Sequence, residues 1–151
     1  GIDTLEVHNV GSFVASFVPT LKDFSRLDPQ FTLSPVIWDK IPAYSSYGFV
    51  VFQLKPQNTT VHPMAFKFKT RMQGRCFFPT KHIHDGQIHV NESFDHEFYC
   101  QGVTPNCPKV LFEGGDFNGM TKPGWFIYKQ SKRGFLKNTD YIAGSKFETV
   151  N

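Results

Sequence analysis

Apolar and polar residues alternate with a period of two over residues 64–72. One face would carry the mostly apolar residues Met64, Phe66, Phe68, Thr70 and Met72. The other face would carry Ala65, Lys67, Lys69 and Arg71. Because successive side chains of a β-strand point to opposite faces, this pattern predicts a strand with one solvent-facing side.

A second alternating stretch, residues 81–90, surrounds an Asp85-Gly86 pair. Asp-Gly is a strong signal for a two-residue hairpin turn, because such turns need positive φ angles. We therefore predict a hairpin whose strands flank this pair. Side chains directly opposite each other across the two strands then lie about 5 Å apart.

This predicted hairpin places His82, His84 and His89 on one face, with the two isoleucines Ile83 and Ile88 on the other. Three imidazoles on one sheet face form a ligand set for zinc or copper.

Asp95, His96 or Glu97 is a candidate for a further ligand or for a carboxylate behind the ligands, although no spacing rule places any of them near the hairpin. The alternative interpretation is a solvated hairpin face that binds no metal.

Shorter strand-like runs lie along the rest of the chain. Residues 5–18 predict a strand interrupted near Gly11, and residues 47–54 are apolar on both faces, which favours a central strand. Residues 31–38 contain Pro35, which favours a sheet edge. Residues 20–27 are the one plausible helix. Further short strands are predicted at residues 75–78, 94–100, 109–112, 124–128 and 141–150.

These patterns predict an all-β fold of about nine or ten short strands and at most one short helix. A parallel sheet would need crossover helices, so we expect an antiparallel β-sandwich or a partly closed barrel. No repeat or linker divides the sequence, and residues 1–151 are predicted to form a single domain.

Composition and charge narrow the function only slightly. The chain has 17 Phe, 5 Tyr and 2 Trp and a net charge of +3, which is too small to indicate sequence-specific nucleic-acid binding. It contains no G-x-S-x-G or H-E-x-x-H motif. The question of enzymatic activity therefore stays open, with a non-enzymatic role preferred.

Three cations, Lys67, Lys69 and Arg71, occupy alternate positions of the predicted strand at 64–72. They are candidate contacts for an anionic partner, although exposed strand positions often carry Lys or Arg for solubility. Trp38 and Trp125 are candidate aromatic platforms for a ligand; core packing is the alternative. A second basic cluster over residues 129–137 is expected to be a solvated turn.

Cysteines and sequons favour an extracellular or virion-surface location. Cys100 and Cys107 flank a short polar loop that a disulfide could close, with three reduced thiols as the alternative. Asn58 and Asn91 begin N-x-[ST] sequons and are candidate glycosylation sites.

Residues 7–17, read as V-H-N-V-G-S-F-V-A-S-F, resemble the opening strand of the membrane-binding C-terminal domain of cholesterol-dependent cytolysins. That strand reads roughly V-x-N-x-G-x-Y-V-A-x-F. The resemblance implies a β-sandwich and contact with a lipid surface. The Trp-rich membrane loop of that family has no counterpart in this sequence.

The leading hypothesis is a non-enzymatic binding module of a secreted or virion-surface protein, such as a capsid protrusion or a lectin-like or toxin-type domain. Its partner would be a glycan, an anionic lipid surface or a protein receptor, and a homo-oligomer is left open. The alternative is a catalytic or sensory zinc or copper site on His82, His84 and His89. A structural or storage β-protein is a minor alternative.

Overall fold

The computed structural model describes residues 3–31, 35–57, 60–72, 75–102, 122, 126–143 and 147–150. The chain is all-β, with antiparallel strands and only short 3₁₀ helices in the described residues, as the sequence predicts. None of the sheets in these ranges closes into a barrel. The chain divides into two compact units, Gly1–Phe68 and Lys69–Asn151. The single-domain assignment of residues 1–151 stays a prediction.

The first unit contains an antiparallel sheet of three strands: β1 (His8–Val10), β2 (Phe13–Val18) and β3 (Phe49–Leu54). β2 is the central strand and its residues are nearly all buried. The prediction that residues 47–54 form the central strand is wrong. Among the described strands, β3 pairs with β2 alone, and its side chains are half-buried.

The first unit also contains three short 3₁₀ helices among its described residues, at Leu21–Arg26, Pro35–Lys40 and Pro42–Tyr44. The first confirms the helical turns predicted at residues 20–27. The second replaces, over residues 35–38, the extended edge strand predicted at 31–38, and residues 32–34 lie outside the described residues. Its residue Trp38 packs its ring 4.6 Å from that of Phe24 and 4.9 Å from that of Phe49, so burial of the ring outweighs the extended preference around Pro35.

The second unit contains two sheets. One is three-stranded with the order β4 (Cys76–Phe78), β7 (Asp140–Ala143), β8 (Phe147–Val150); the other is a ribbon of β5 (Asn91–Gly102) and β6 (Phe126–Lys137). Their shared core is formed by Phe94 and Phe98 of β5 and Tyr141 of β7, with Phe78 and Leu136 packed against it. Phe94 and Phe98, four positions apart on β5, therefore pack the ribbon against the three-stranded sheet through Tyr141 and Phe78.

The strands predicted at residues 64–72 and 81–90 do not form. Residues 64–71 are exposed and residues 64–72 form no strand. Residues 81–90 form no strands either, only bends at residues 84–87 and at residue 90, and Gly86 in the first of these has a φ of 75°. The positive φ expected at the Asp-Gly pair is present, but the hairpin strands predicted around it are not. Residues 129–137 belong to β6 and are not the solvated turn expected from their charge.

A tight turn at Gly11 joins β1 to β2 and depends on His62. Gly11 has a φ of 58°. The next residue, Ser12, donates its backbone N–H to Nε2 of His62 at 2.9 Å, while His62 Nδ1 lies 2.9 Å from the carbonyl of Pro63 and donates to it. A methyl group on Gly11 would collide with the His62 ring.

Gly11→Ala is expected to lower the free energy of unfolding by about 2–3 kcal/mol, from left-handed strain plus the lost Ser12–His62 bond. Gly86→Ala is the matched control, since Gly86 also has a positive φ but an added methyl there meets no atom within 4 Å. Its cost should be only the strain, about 1 kcal/mol. Chemical denaturation measures both, and equal costs would contradict the role of His62.

Candidate functional site

The loop of residues 80–90, here called the histidine loop, is held by side chains of a buried segment at Asn138–Asp140. Asn138 Oδ1 accepts the backbone N–H of His82 at 2.8 Å, and its Nδ2 donates to the carbonyls of His82 and His89 at 2.9 and 3.0 Å. One carboxamide therefore replaces the cross-strand ladder that the predicted hairpin would have had.

Asp140 fixes the start of the same loop. It is fully buried, and its Oδ1 accepts the backbone N–H groups of Thr80 and Lys81 at 2.9 and 3.0 Å. Thr80 Oγ1 in turn donates to the carbonyl of Thr139 at 2.8 Å. Buried polar groups are costly unless they are hydrogen-bonded, and here each of these contacts both satisfies the segment and positions the loop.

The side chains of His82 and His84 lie close to each other in the structure. The third histidine beside His82 is His96, whereas His89 contacts Asp85. Nε2 of His82 lies 2.8 Å from Nε2 of His96, and the ring of His84 is 5.3 Å from that of His82. We call His82, His84 and His96 the histidine cluster. Since no hairpin ladder forms, the predicted pairing of His82 with His89 across the strands is wrong.

Phe94 fixes the plane of the His82 ring. The two rings stack with centroids 4.8 Å apart and an interplanar angle of 22°, and the edge of His96 contacts Phe94 at 5.4 Å. Phe94 and Phe98 are buried on either side of half-buried His96, while the residues between them, Asp95 and Glu97, are exposed. Alternation along β5 therefore turns His96 toward the core face, a signal that the sequence does contain.

The hydrogen-bond partners of the His82 ring nitrogens determine which of them carries the hydrogen. His82 Nδ1 is buried and has no hydrogen-bond partner among the described residues. A buried N–H without an acceptor is rarer than an acceptor without a donor. We therefore assign the hydrogen to His82 Nε2, which donates to His96 Nε2, and leave His82 Nδ1 as a bare lone pair.

Burial lowers the pKa of His82, with further lowering from the neighbouring His96 and His84. A second proton would have to enter at the buried Nδ1, which has no carboxylate or carbonyl contact in the described residues. At neutral pH the ring is consequently uncharged, which is the form that ligates metal ions.

His89 occupies a different environment at the solvent side of the loop. Its Nε2 lies 2.9 Å from Oδ2 of Asp85, and this hydrogen bond raises the pKa of His89 and lowers that of Asp85. Asp85 also accepts the backbone N–H of Gln87 through Oδ1 at 3.0 Å. The carboxylate thus organises the bend and holds His89 outside the cluster.

In the described residues, no group of three or more His, Cys, Asp or Glu is arranged so that it could hold a metal ion as it stands. A zinc or copper site on His82, His84 and His89 stays a prediction, although His89 is engaged with Asp85. Asp95 and Glu97, considered as further ligands, lie on the outer face, where Arg133 contacts both at 3.0 and 2.9 Å.

The predicted ligand-binding cations Lys67, Lys69 and Arg71 are all exposed, in a segment without strand structure. Trp38 is half-buried among aromatic rings, and its ligand role stays a prediction. Trp125 lies outside the described residues.

The modification sites stay predictions as well. Cys100 is buried on β5, but Cys107 lies outside the described residues, as does the sequon residue Asn58. Asn91 begins β5 and is exposed.

Comparisons with protein-family models, with curated proteins and with solved structures find no match for this chain. In the described ranges no helix has the length and apolar character required to cross a bilayer.

Asn138→Ala is expected to lower the free energy of unfolding by about 2–4 kcal/mol, because it leaves the N–H of His82 and two carbonyls unsatisfied near the core. The control is Asn9→Ala, at an exposed position of β1, which should change it by less than about 0.5 kcal/mol. Urea denaturation measures both. A cost for Asn138→Ala no larger than the control's would contradict the anchoring role.

The two environments of His82 and His89 predict opposite titration shifts. His82 should titrate below its ordinary pKa of 6.5 and His89 above it. His82 then contributes full stability above pH 6.5 and loses it as the pH falls through its lowered pKa. His89 contributes fully below pH 6.5 and loses its contribution as the pH rises through its raised pKa.

Imidazole ¹⁵N NMR during a pH titration measures both midpoints. Coincident midpoints, or a His82 midpoint above that of His89, would show that the environments have been assigned wrongly.

Proposed function

We propose that this protein is a non-enzymatic binding module that attaches to an anionic surface through residues 61–71, here called the basic–aromatic segment. The main support for this proposal is that large apolar side chains are exposed beside cations. Phe66 and Phe68 are 47% and 61% exposed, and Lys67 and Lys69 lie next to them in an equally exposed stretch. Large exposed apolar groups rimmed by charge are typical of interaction surfaces.

The aromatic side chains of the segment form a connected group. The ring of Phe66 lies 5.6 Å from that of Phe52 and 5.7 Å from that of Phe68. Full burial of a Phe side chain yields about 1.5–3 kcal/mol, so these rings leave part of that free energy unused in the isolated chain. A partner that covers them would recover it.

Cations beside exposed aromatic rings favour an anionic lipid surface over the other two partner classes. Each Lys or Arg close to an anionic membrane contributes about 1 kcal/mol, while apolar rings enter the boundary between headgroups and acyl chains. A sulfated glycan would engage the cations but would leave Phe66 and Phe68 exposed. A protein receptor would require a shaped complementary surface, for which the described residues give no separate indication.

The proposed location is extracellular or on a virion surface. Its support is the exposure of Asn91, the first residue of an N-x-[ST] sequon, at the start of β5. Glycosylation at this position would be sterically accessible, as an acceptor in a secreted protein must be.

The triple reversal Lys67→Glu, Lys69→Glu and Arg71→Glu is expected to weaken partitioning onto mixed phosphatidylcholine–phosphatidylglycerol vesicles by at least about 100-fold, since three contacts of about 1 kcal/mol are lost. The control reverses Lys22, Lys40 and Lys137, which are exposed elsewhere. Both variants move the net charge from +3 to −3, so only position differs between them. Vesicle co-sedimentation measures the partitioning.

Phe66→Ser with Phe68→Ser, at unchanged charge, should also weaken vesicle binding, whereas heparin binding should be unaffected by it. Binding of the wild type should fade as salt rises, because the Debye length is ~8 Å at physiological ionic strength. Equal losses in the two charge-reversal variants, or no binding to anionic vesicles at all, would overturn the proposal. Retention on heparin alone would replace the lipid partner with a sulfated glycan.

A further inference from the structure

We infer that the histidine cluster is a binding site for one zinc or copper ion, with His82 Nε2 and His96 Nε2 as the two preorganised ligands and His84 as the third. The carrying observation is the convergence of the two Nε2 atoms, 2.8 Å apart, from a loop and a strand separated by 14 positions in the sequence. This site is independent of the basic–aromatic segment.

The spacing of the two nitrogens suits a shared ion after a small movement. A tetrahedral zinc ion with Zn–N bonds of about 2.0–2.1 Å holds two ligand nitrogens about 3.3–3.4 Å apart. The two nitrogens must therefore separate by about half an ångström, and each ring must turn so that its Nε2 points at the ion and no longer at the other Nε2. Copper accepts the same imidazole ligands.

His84 supplies a ligand from the solvent side. It is exposed while His82 is half-buried, and the two rings already lie 5.3 Å apart at a 61° angle. His84 begins the bend that contains Gly86, so its backbone is not locked in a ladder. An ion entering from solvent would meet His84 first and the His82–His96 pair behind it, with water completing the coordination shell.

Ion binding leaves the number of protons on neutral imidazoles unchanged. In the ion-free pair, His82 Nε2–H donates to His96 Nε2; in the bound state both Nε2 lone pairs face the ion, and the hydrogen on His82 moves to Nδ1. That Nδ1 has no acceptor among the described residues. Because ligating histidines usually donate their other N–H to an acceptor, we expect weaker affinity than in a structural zinc site.

Stacked Phe94 supports the assignment because it keeps the ligand ring in place without competing for the ion. His89 provides a built-in contrast, because its Nε2 is already hydrogen-bonded to Asp85.

The test uses the full chain purified without a polyhistidine tag, stripped with EDTA and titrated with ZnCl₂ and with CuCl₂ by calorimetry at neutral pH. The wild type should bind one ion per chain and show a higher melting temperature with the ion present. His96→Ala should reduce affinity by at least 100-fold and His84→Ala by about 10-fold. The control His89→Ala should bind like the wild type.

Imidazole ¹⁵N NMR identifies the ligating atoms even where a variant folds poorly. Addition of Zn²⁺ to the wild type should shift Nε2 of His82 and His96 and move the hydrogen of His82 to Nδ1. Absence of binding in the wild type, binding that survives His96→Ala, or binding lost in His89→Ala would each overturn the assignment.

Discussion

The carboxamide of Asn138 is the interaction on which the arrangement of the histidine loop depends. A loop without strand pairing must still satisfy its backbone N–H and C=O groups. Here one buried side chain serves two ends of the loop at once, since it binds both groups of His82 and the carbonyl of His89. Asp140 does the same for Thr80 and Lys81. The position of His82 opposite β5 follows from these contacts.

The presence or absence of a partner strand explains which strands could be predicted from the sequence. The strand-like runs predicted at residues 5–18 and 94–100 contain β2 and part of β5, and each of these strands has a strand partner in the structure. Period-two patterning failed at residues 64–72 and 81–90, neither of which forms a strand. Alternation indicates an extended chain, but a strand also needs a partner edge, and this information lies far away in the sequence. Asn and Asp side chains can substitute for such an edge, as Asn138 does.

The candidate site was half predictable for the same reason. The spacing of two positions correctly predicted that the side chains of His82 and His84 lie close together, because residues two positions apart in an extended chain are on the same face. The prediction that His89 is the third ligand assumed that the hairpin strands pair. Without that pairing, the His89 side chain contacts Asp85. His96 was one of three candidates for a further ligand, and the run Phe94-x-His96-x-Phe98 distinguishes it from the other two, because a histidine there takes an inward position between two buried aromatic residues. The charged residues between them, Asp95 and Glu97, face Arg133 and Lys129 on the outer side of the ribbon.

The protein has two candidate binding sites with different chemistry. The basic–aromatic segment offers charge and apolar area without fixed geometry, which suits a soft anionic surface. The histidine cluster offers fixed geometry and little area, which suits a single ion. The second of these depends on the anchor at Asn138, because a free loop would not keep the His82 ring against β5.

The most direct test of this dependence is the through-hydrogen-bond ¹⁵N–¹⁵N coupling between Nε2 of His82 and Nε2 of His96 in ion-free protein. A measurable coupling in the wild type and in His89→Ala, together with its loss in Asn138→Ala, is the predicted result. No coupling in the wild type, or a coupling that persists unchanged in a folded Asn138→Ala variant, would contradict the account.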